Sequence, residues 1–115
     1  MRKLIDKPWG HEEIWAETNS YVGKILTIKP GHRLSLQYHE KKEETIYVLE
    51  GTLTIWTGDD DSSYMLCGPG SVYHVVPGQI HRLGADSVEQ KPIKILEVST
   101  PHLDDVVRIS DDYKR

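Results

Sequence analysis

Short runs of β-forming residues, each closed by a turn signal, leave this chain little choice of fold class. Val, Ile, Thr, Tyr and Trp gather in residues 12–16, 21–28, 34–39, 45–49, 52–57, 64–67, 71–75, 79–83 and 93–97. Between these runs stand Asn19-Ser20, Pro30-Gly31, Glu50-Gly51, Gly58-Asp59-Asp60-Asp61, Gly68-Pro69-Gly70 and Pro77-Gly78. β-branched and aromatic residues suit a pleated, half-buried surface, and Gly, Pro, Asn and Asp supply the turns. Many short strands at close spacing predict an all-β sandwich or barrel. The single helical signal is at residues 102–109, where Ser99 or Thr100 could cap a short turn or helix. The polar ends, 1–7 and 110–115, read as the loosest parts.

Composition narrows the function. At 115 residues the chain has room for one domain, here taken as 1–115. Its 14 basic residues are outnumbered by 18 acidic ones, and no basic stripe is present, which argues against a nucleic-acid partner. No apolar run is long enough to span a membrane, and the first residues lack the apolar core of a secretory signal. The lone Cys67 has no partner for an internal disulfide and reads as a small buried hydrophobe. The expectation is a soluble cytoplasmic protein.

The polar residues carry the chemistry. With a period of two, Arg33, Ser35, Gln37 and His39 share one strand face, while Leu34, Leu36 and Tyr38 share the other. A tight turn through Glu40-Lys41-Lys42-Glu43, read as solvated, returns the chain at Glu44. Glu44, Ile46 and Val48 then share a face. Pro77-Gly78-Gln79-Ile80-His81 is a turn that delivers a histidine into a strand. Each feature alone has a plain structural reading. Together, two imidazoles, a carboxylate and an amide oxygen suit a divalent first-row ion, so Gln37, His39, Glu44 and His81 are the candidate ligands.

These residues resemble the first cupin motif, with Gly31, Gln37, His39, Glu44 and Gly51 at its spacing; Gln37 stands where histidine is usual. The second motif matches at Gly70, Gly78 and His81, with Val76 in place of a proline and Ala85 in place of an asparagine. Lys7-Pro8-Trp9-Gly10, the run from Pro30 to His39, His81-Arg82-Leu83 and the ending from Asp105 to Tyr113 are more specific. They resemble the type II phosphomannose isomerase family, often found as the C-terminal domain of bifunctional mannose-1-phosphate guanylyltransferase/phosphomannose isomerases. Gln-x-His with a following Glu and a later His is also similar to the zinc ligand set of type I isomerases. The resemblance implies a single cupin domain, a double-stranded β-helix or jelly-roll barrel. It implies one divalent ion, zinc first, with cobalt, manganese, nickel, iron or magnesium as alternatives. The activity implied is interconversion of mannose 6-phosphate and fructose 6-phosphate. No Gly-rich phosphate loop accompanies it, so the expectation is a stand-alone cupin without nucleotide chemistry.

Moving a proton between C1 and C2 needs a mobile base. Lys24 shares a face with Val22, Leu26 and Ile28 and is the candidate; the alternative is a lysine snorkelling to water. His32 and His74 are weaker candidates. Arg33, on the face of Gln37 and His39, could pair with the substrate phosphate and act in catalysis, or could form a structural salt bridge. Ser35 could bond a sugar hydroxyl or support a ligand. Arg82 should point away from His81 in a regular strand, although the family pattern keeps it near the site as a substrate-binding residue. Trp9, Trp15 and Trp56 read as core or interface, and the 58–61 stretch as a hairpin loop. The resemblance implies a homodimer, with Tyr38, Tyr47 and Leu49 as interface candidates. Two other readings stand beside the isomerase: a non-catalytic cupin that binds a sugar or sugar phosphate in polysaccharide metabolism, and another metal-cupin enzyme such as a dioxygenase.

Overall fold

Alternating burial along the strands sorts the chain into two sheets that face each other. The computed structural model describes residues 2–58 and 60–113. Asp59 of the 58–61 loop, and Met1, Lys114 and Arg115 of the polar ends, lie outside the described residues. The strands are β1 (Lys3–Lys7), β2 (Gly10–Glu17), β3 (Val22–Ile28), β4 (Leu36–Tyr38), β5 (Glu44–Glu50), β6 (Leu53–Trp56), β7 (Tyr64–Cys67), β8 (Val72–Val75), β9 (Arg82–Gly84), β10 (Ile93–Ser99) and β11 (Val107–Ser110). No helix is present among the described residues, and the all-β expectation holds.

One sheet has six strands in the order β1-β2-β3-β10-β5-β8. Opposite it, β7-β6-β9 and β11-β4 form two smaller sheets. Isolated bridges Arg33↔Gly84 and Gln37↔His81 join these into one layer. Every named pairing is antiparallel. Ile46, Val48, Ile93 and Ile95 of the large sheet meet Leu53, Ile55 and Leu83 of the small layer, all at 2% exposure or less. Trp9 belongs to this core as read. Trp56 is half-buried, and Trp15 is exposed, lying over Gly23, where a Cβ would stand 2.6 Å from the indole ring.

The structure departs from the sequence reading at both ends. Residues 3–7, read as loose, form β1, which satisfies the free edge of β2 from Lys3↔Ile14 to Lys7↔Gly10. The stretch 102–109, read as a short turn or helix, makes turns up to Val106 and then, rather than a helix, β11, paired with β4. Val107 and Ile109 alternate with Arg108 and Ser110, a period of two rather than 3.6. The strand expected at 79–83 shortens to β9, with His81 held by its bridge just before it. Cys67 is half-buried, and burial raises its thiol pKa.

Candidate metal centre

Three elements converge at one end of the barrel interior. β4 carries Gln37, and the chain leaving it carries His39. β5 opens with Glu44. His81 precedes β9 and exchanges both backbone hydrogen bonds with Gln37, at 3.0 and 2.9 Å. In such an antiparallel pair the two side chains point to the same face. Gly78 fixes the approach of this segment. Its φ of +83° is left-handed, the region glycine adopts freely, and its N–H donates to the His39 carbonyl at 2.7 Å.

The two imidazoles are oriented by carbonyls. His39 Nδ1 lies 2.6 Å from the Asp105 carbonyl oxygen, and His81 Nδ1 lies 3.0 Å from that of Gln79. A carbonyl only accepts, so each Nδ1 donates to it, and each ring turns its Nε2 inward. Both Nε2 atoms face one oxygen, Glu44 Oε1, at 2.9 Å from His39 and 3.4 Å from His81. Burial works to raise the Glu44 pKa, but hydrogen bonds from His39 and His81 and the nearby Lys42 charge hold it well below the usual carboxylate range. All three side chains are buried, and their ligand atoms lie within 4.8 Å of one another. Two imidazole nitrogens converging on a buried carboxylate fit a cation, and backbone acceptors on both Nδ1 atoms give the outer support that metal-ligating histidines show. His39, Glu44 and His81 could therefore hold a metal ion.

Around them is a cavity of about 120 Å³. Ser35, Gln37, His39, Glu44 and His81 all line it, so the period-two reading holds from Ser35 to His39. Lys24 lines it too, buried and 3.4 Å from buried Glu12. Glu97 sits opposite Lys24 in the β3–β10 register. Burial and the Glu44 charge push its carboxyl up to about 8, against the pull of Lys42. Lys42 reaches Glu97 at 3.3 Å and Glu44 at 3.8 Å. The turn 40–43 is therefore not wholly solvated: Lys42 is 5% exposed and turned inward. Its burial opposes the charge, which Glu97 and Glu44 more than restore, so its pKa is raised. Among the described residues, no buried side-chain nitrogen or oxygen lacks a hydrogen-bond partner.

The arginines are placed otherwise than expected. Arg33 does not line the cavity. Only residues 36–38 are regular strand, so the alternation does not extend back to residue 33. Its guanidinium bonds Asp112 at 2.6 and 3.1 Å and Asp61 at 3.1 Å, and lies 5.2 Å from the Trp56 ring centroid. Asp112 and Asp61 raise its pKa. Arg82 is also outside the cavity, donating to the carbonyls of Leu34 and Ser110. Both arginines grip residues 110–112. His32 does the same through Tyr113, at 2.7 Å and with stacked rings. Asp105 completes the grip: its carboxylate accepts from the N–H groups of Glu40, Lys41 and Lys42 at 2.7–3.0 Å, which lowers its pKa to about 2. The stretch 103–113 is thus a strap, and Leu103, Val106 and Arg108 from it line the cavity. His74 lies outside, bonded to Thr45 and Glu43. Lys7, Glu12, Lys42, Glu97 and Arg108 are lining residues that sequence reasoning missed.

A family model described as mannose-6-phosphate isomerase C-terminal matches residues 1–111. The alginate biosynthesis protein AlgA of Pseudomonas aeruginosa is 32% identical over 114 residues, covering 96% of this chain and 23% of AlgA. A mannose-1-phosphate guanylyltransferase of Escherichia coli is also 32% identical, covering 100% of this chain and 24% of that protein. This chain thus spans about a quarter of the length of the curated relatives it matches. A sugar phosphate isomerase of the cupin superfamily from Silicibacter pomeroyi superposes with a TM-score of 0.65 at 22% identity, covering 78% of this chain and 58% of that one. The cupin fold expected from the sequence is the one observed.

Proposed function

The chain belongs to the mannose-6-phosphate isomerase C-terminal family, and on that premise we propose that it is a metal-dependent sugar-phosphate isomerase interconverting mannose 6-phosphate and fructose 6-phosphate through an enediol(ate). The observation that carries the reading is the convergence of two imidazole nitrogens and a carboxylate beside a buried lysine. Gln37, His39, Glu44 and His81 would hold one divalent ion, zinc first. When bound, such an ion supplies positive charge beside the C1 and C2 oxygens, where negative charge develops.

The chain's own residues supply the rest. Lys24 carries the proton from one carbon to the other. It takes the proton at C2 of mannose 6-phosphate and returns it at C1, while the hydroxyl proton passes from O2 to O1. Glu12, 3.4 Å from its Nζ, orients the amine. Ser35 is placed to bond a sugar hydroxyl. Leu26, Leu34 and Leu83 supply part of the apolar share of a mostly polar cavity wall.

The test is a coupled assay for fructose 6-phosphate with metal-stripped protein, then with zinc, cobalt, manganese or magnesium added. Metal-dependent turnover, lost with metal binding in Glu44→Ala and lost without it in Lys24→Met, is the expected result. Binding of mannose 6-phosphate with no product under any metal would favour a second reading, a sugar-phosphate-binding cupin. That reading has its own support, because Lys24 and Lys42 are already paired with carboxylates.

We also propose a homodimer. The outer face of the six-stranded sheet exposes Trp15, Tyr47, Val72 and Val98, with Leu49 at its margin; Tyr38 is half-buried on the other layer. Light scattering showing a monomer at micromolar concentration would end this proposal.

A further inference from the structure

We propose that Arg108, assisted by Lys7, forms an anion-binding subsite at the cavity rim that takes the phosphate of the substrate. This rests on the sugar-phosphate reading above and locates its specificity. β11 lies antiparallel to β4 with Arg108 directly opposite Gln37, and Gln37 is directly opposite His81. Residues so paired share a face, so Arg108, Gln37 and His81 form one row across the layer. Arg108 is its outer, exposed member, and it lines the same cavity as the buried histidines. Just beyond it the register slips between Arg108 and Ser110. Irregularities of this kind re-aim side chains at the rims of barrels.

Charge bookkeeping points to the same two residues. Inside the cavity Lys24 is matched by Glu12, and Lys42 by Glu97 and Glu44. Arg33 is taken by Asp112 and Asp61, and Arg82 by two carbonyls. Lys7 and Arg108 line the cavity, and among the described residues neither has an ion pair or side-chain hydrogen bond. They are the uncompensated positive charge of the site. A phosphate monoester is the matching ligand class: it is anionic, and its paired oxygens fit the planar fork of a guanidinium. The backbone under Arg108 is held by the contacts of Asp105, Ser110, Asp112 and Tyr113, so it is presented from a fixed strand.

The experiment is calorimetric titration of the zinc-loaded full chain with mannose 6-phosphate, inorganic phosphate and mannose, for the parent, Arg108→Gln, Arg108→Lys and Lys7→Gln. Zinc content and circular dichroism confirm that each variant is folded and loaded. Arg108→Gln is expected to weaken mannose 6-phosphate and phosphate by about tenfold or more. Arg108→Lys should restore part of the loss, Lys7→Gln should lose less, and mannose binding should not change. Mannose 6-phosphate binding to Arg108→Gln within about twofold of the parent overturns the subsite. So does a parent that binds mannose as tightly as mannose 6-phosphate, or binds neither phosphate compound. A parent that binds through Arg108 but yields no fructose 6-phosphate keeps the subsite and sinks the isomerase.

Discussion

The two ends of the barrel interior are built from the same strands yet differ in every physical respect. On β3 the inward residues run Ile28, Leu26, then Lys24. On β10 they run Ile93, Ile95, then Glu97; on β5, Val48, Ile46, then Glu44. All are buried. Two steps from the closed end are apolar, and the third is charged. The apolar end removes hydrocarbon from water at about 25 cal/mol per Å², and it stabilises the fold. The charged end gives up hydration for pairings that on balance seldom stabilise a protein. Its retention on three adjacent strands at one level marks a site supported by the scaffold rather than a part of the scaffold.

Substitutions at equivalent depth sharpen this contrast. Ile95→Ala should cost about 2–5 kcal/mol in denaturant unfolding and leave the metal affinity of folded molecules unchanged. The paired swap Lys42→Met with Glu97→Leu should cost no stability and could raise it by about 1–4 kcal/mol, while metal-dependent turnover falls away. A loss of stability in the swap as large as that of Ile95→Ala would break the comparison. Asp105→Ala frees the N–H groups of residues 40–42 and loosens the support of His39. Its expected signature is metal affinity about 10–100-fold lower by chelator competition, with most of the core stability retained.

The smallest effect belongs to the strap. The hydrogen bond from Arg33 holds the Asp112 carboxyl below its ordinary value of 3.8. A depressed carboxylate stabilises the fold above that value and loses its contribution as pH falls through the lower, folded one. The pair is partly exposed, so the loss should stay below about 1 kcal/mol. Hydrogen exchange at residues 107–110 should quicken below pH 3.8 in the parent, and Asp112→Asn should show that quickening already at neutral pH.

Much of this was legible from the chain. Period-two alternation and a five-residue return place Gln37, His39 and Glu44 together, and the Pro77-Gly78 turn brings His81 to them. Glu97 was legible by the same rule, since it shares parity with Ile93 and Ile95, but an acid at a strand end reads as a solvent residue. Lys42 was not legible, because nothing local separates it from Lys41; the carboxylate it hydrogen-bonds, Glu97, comes from a distant strand. Arg33 shows the opposite failure, an alternation carried three residues before the start of regular strand at Leu36. Arg108 was hidden by a capping signal at Ser99 and Thr100 that outweighed the alternation of Val107 and Ile109.

The strap also fixes an order in time. Its contacts from Asp105, Asp112 and Tyr113 to the stretch 32–42 close loops of 63 to 81 residues. Contacts between residues so far apart in sequence form late, because their closure entropy is met before they contribute. The apolar end of the barrel can assemble while His39 still lacks the carbonyl that turns its ring. Under the proposed metal binding, capture of the ion and strap docking would be one event, and an ion that binds only the docked form would stabilise it with the logarithm of its free concentration. Scarcity of the ion would be felt first as an unfastened C-terminal strand, well before the barrel itself gives way.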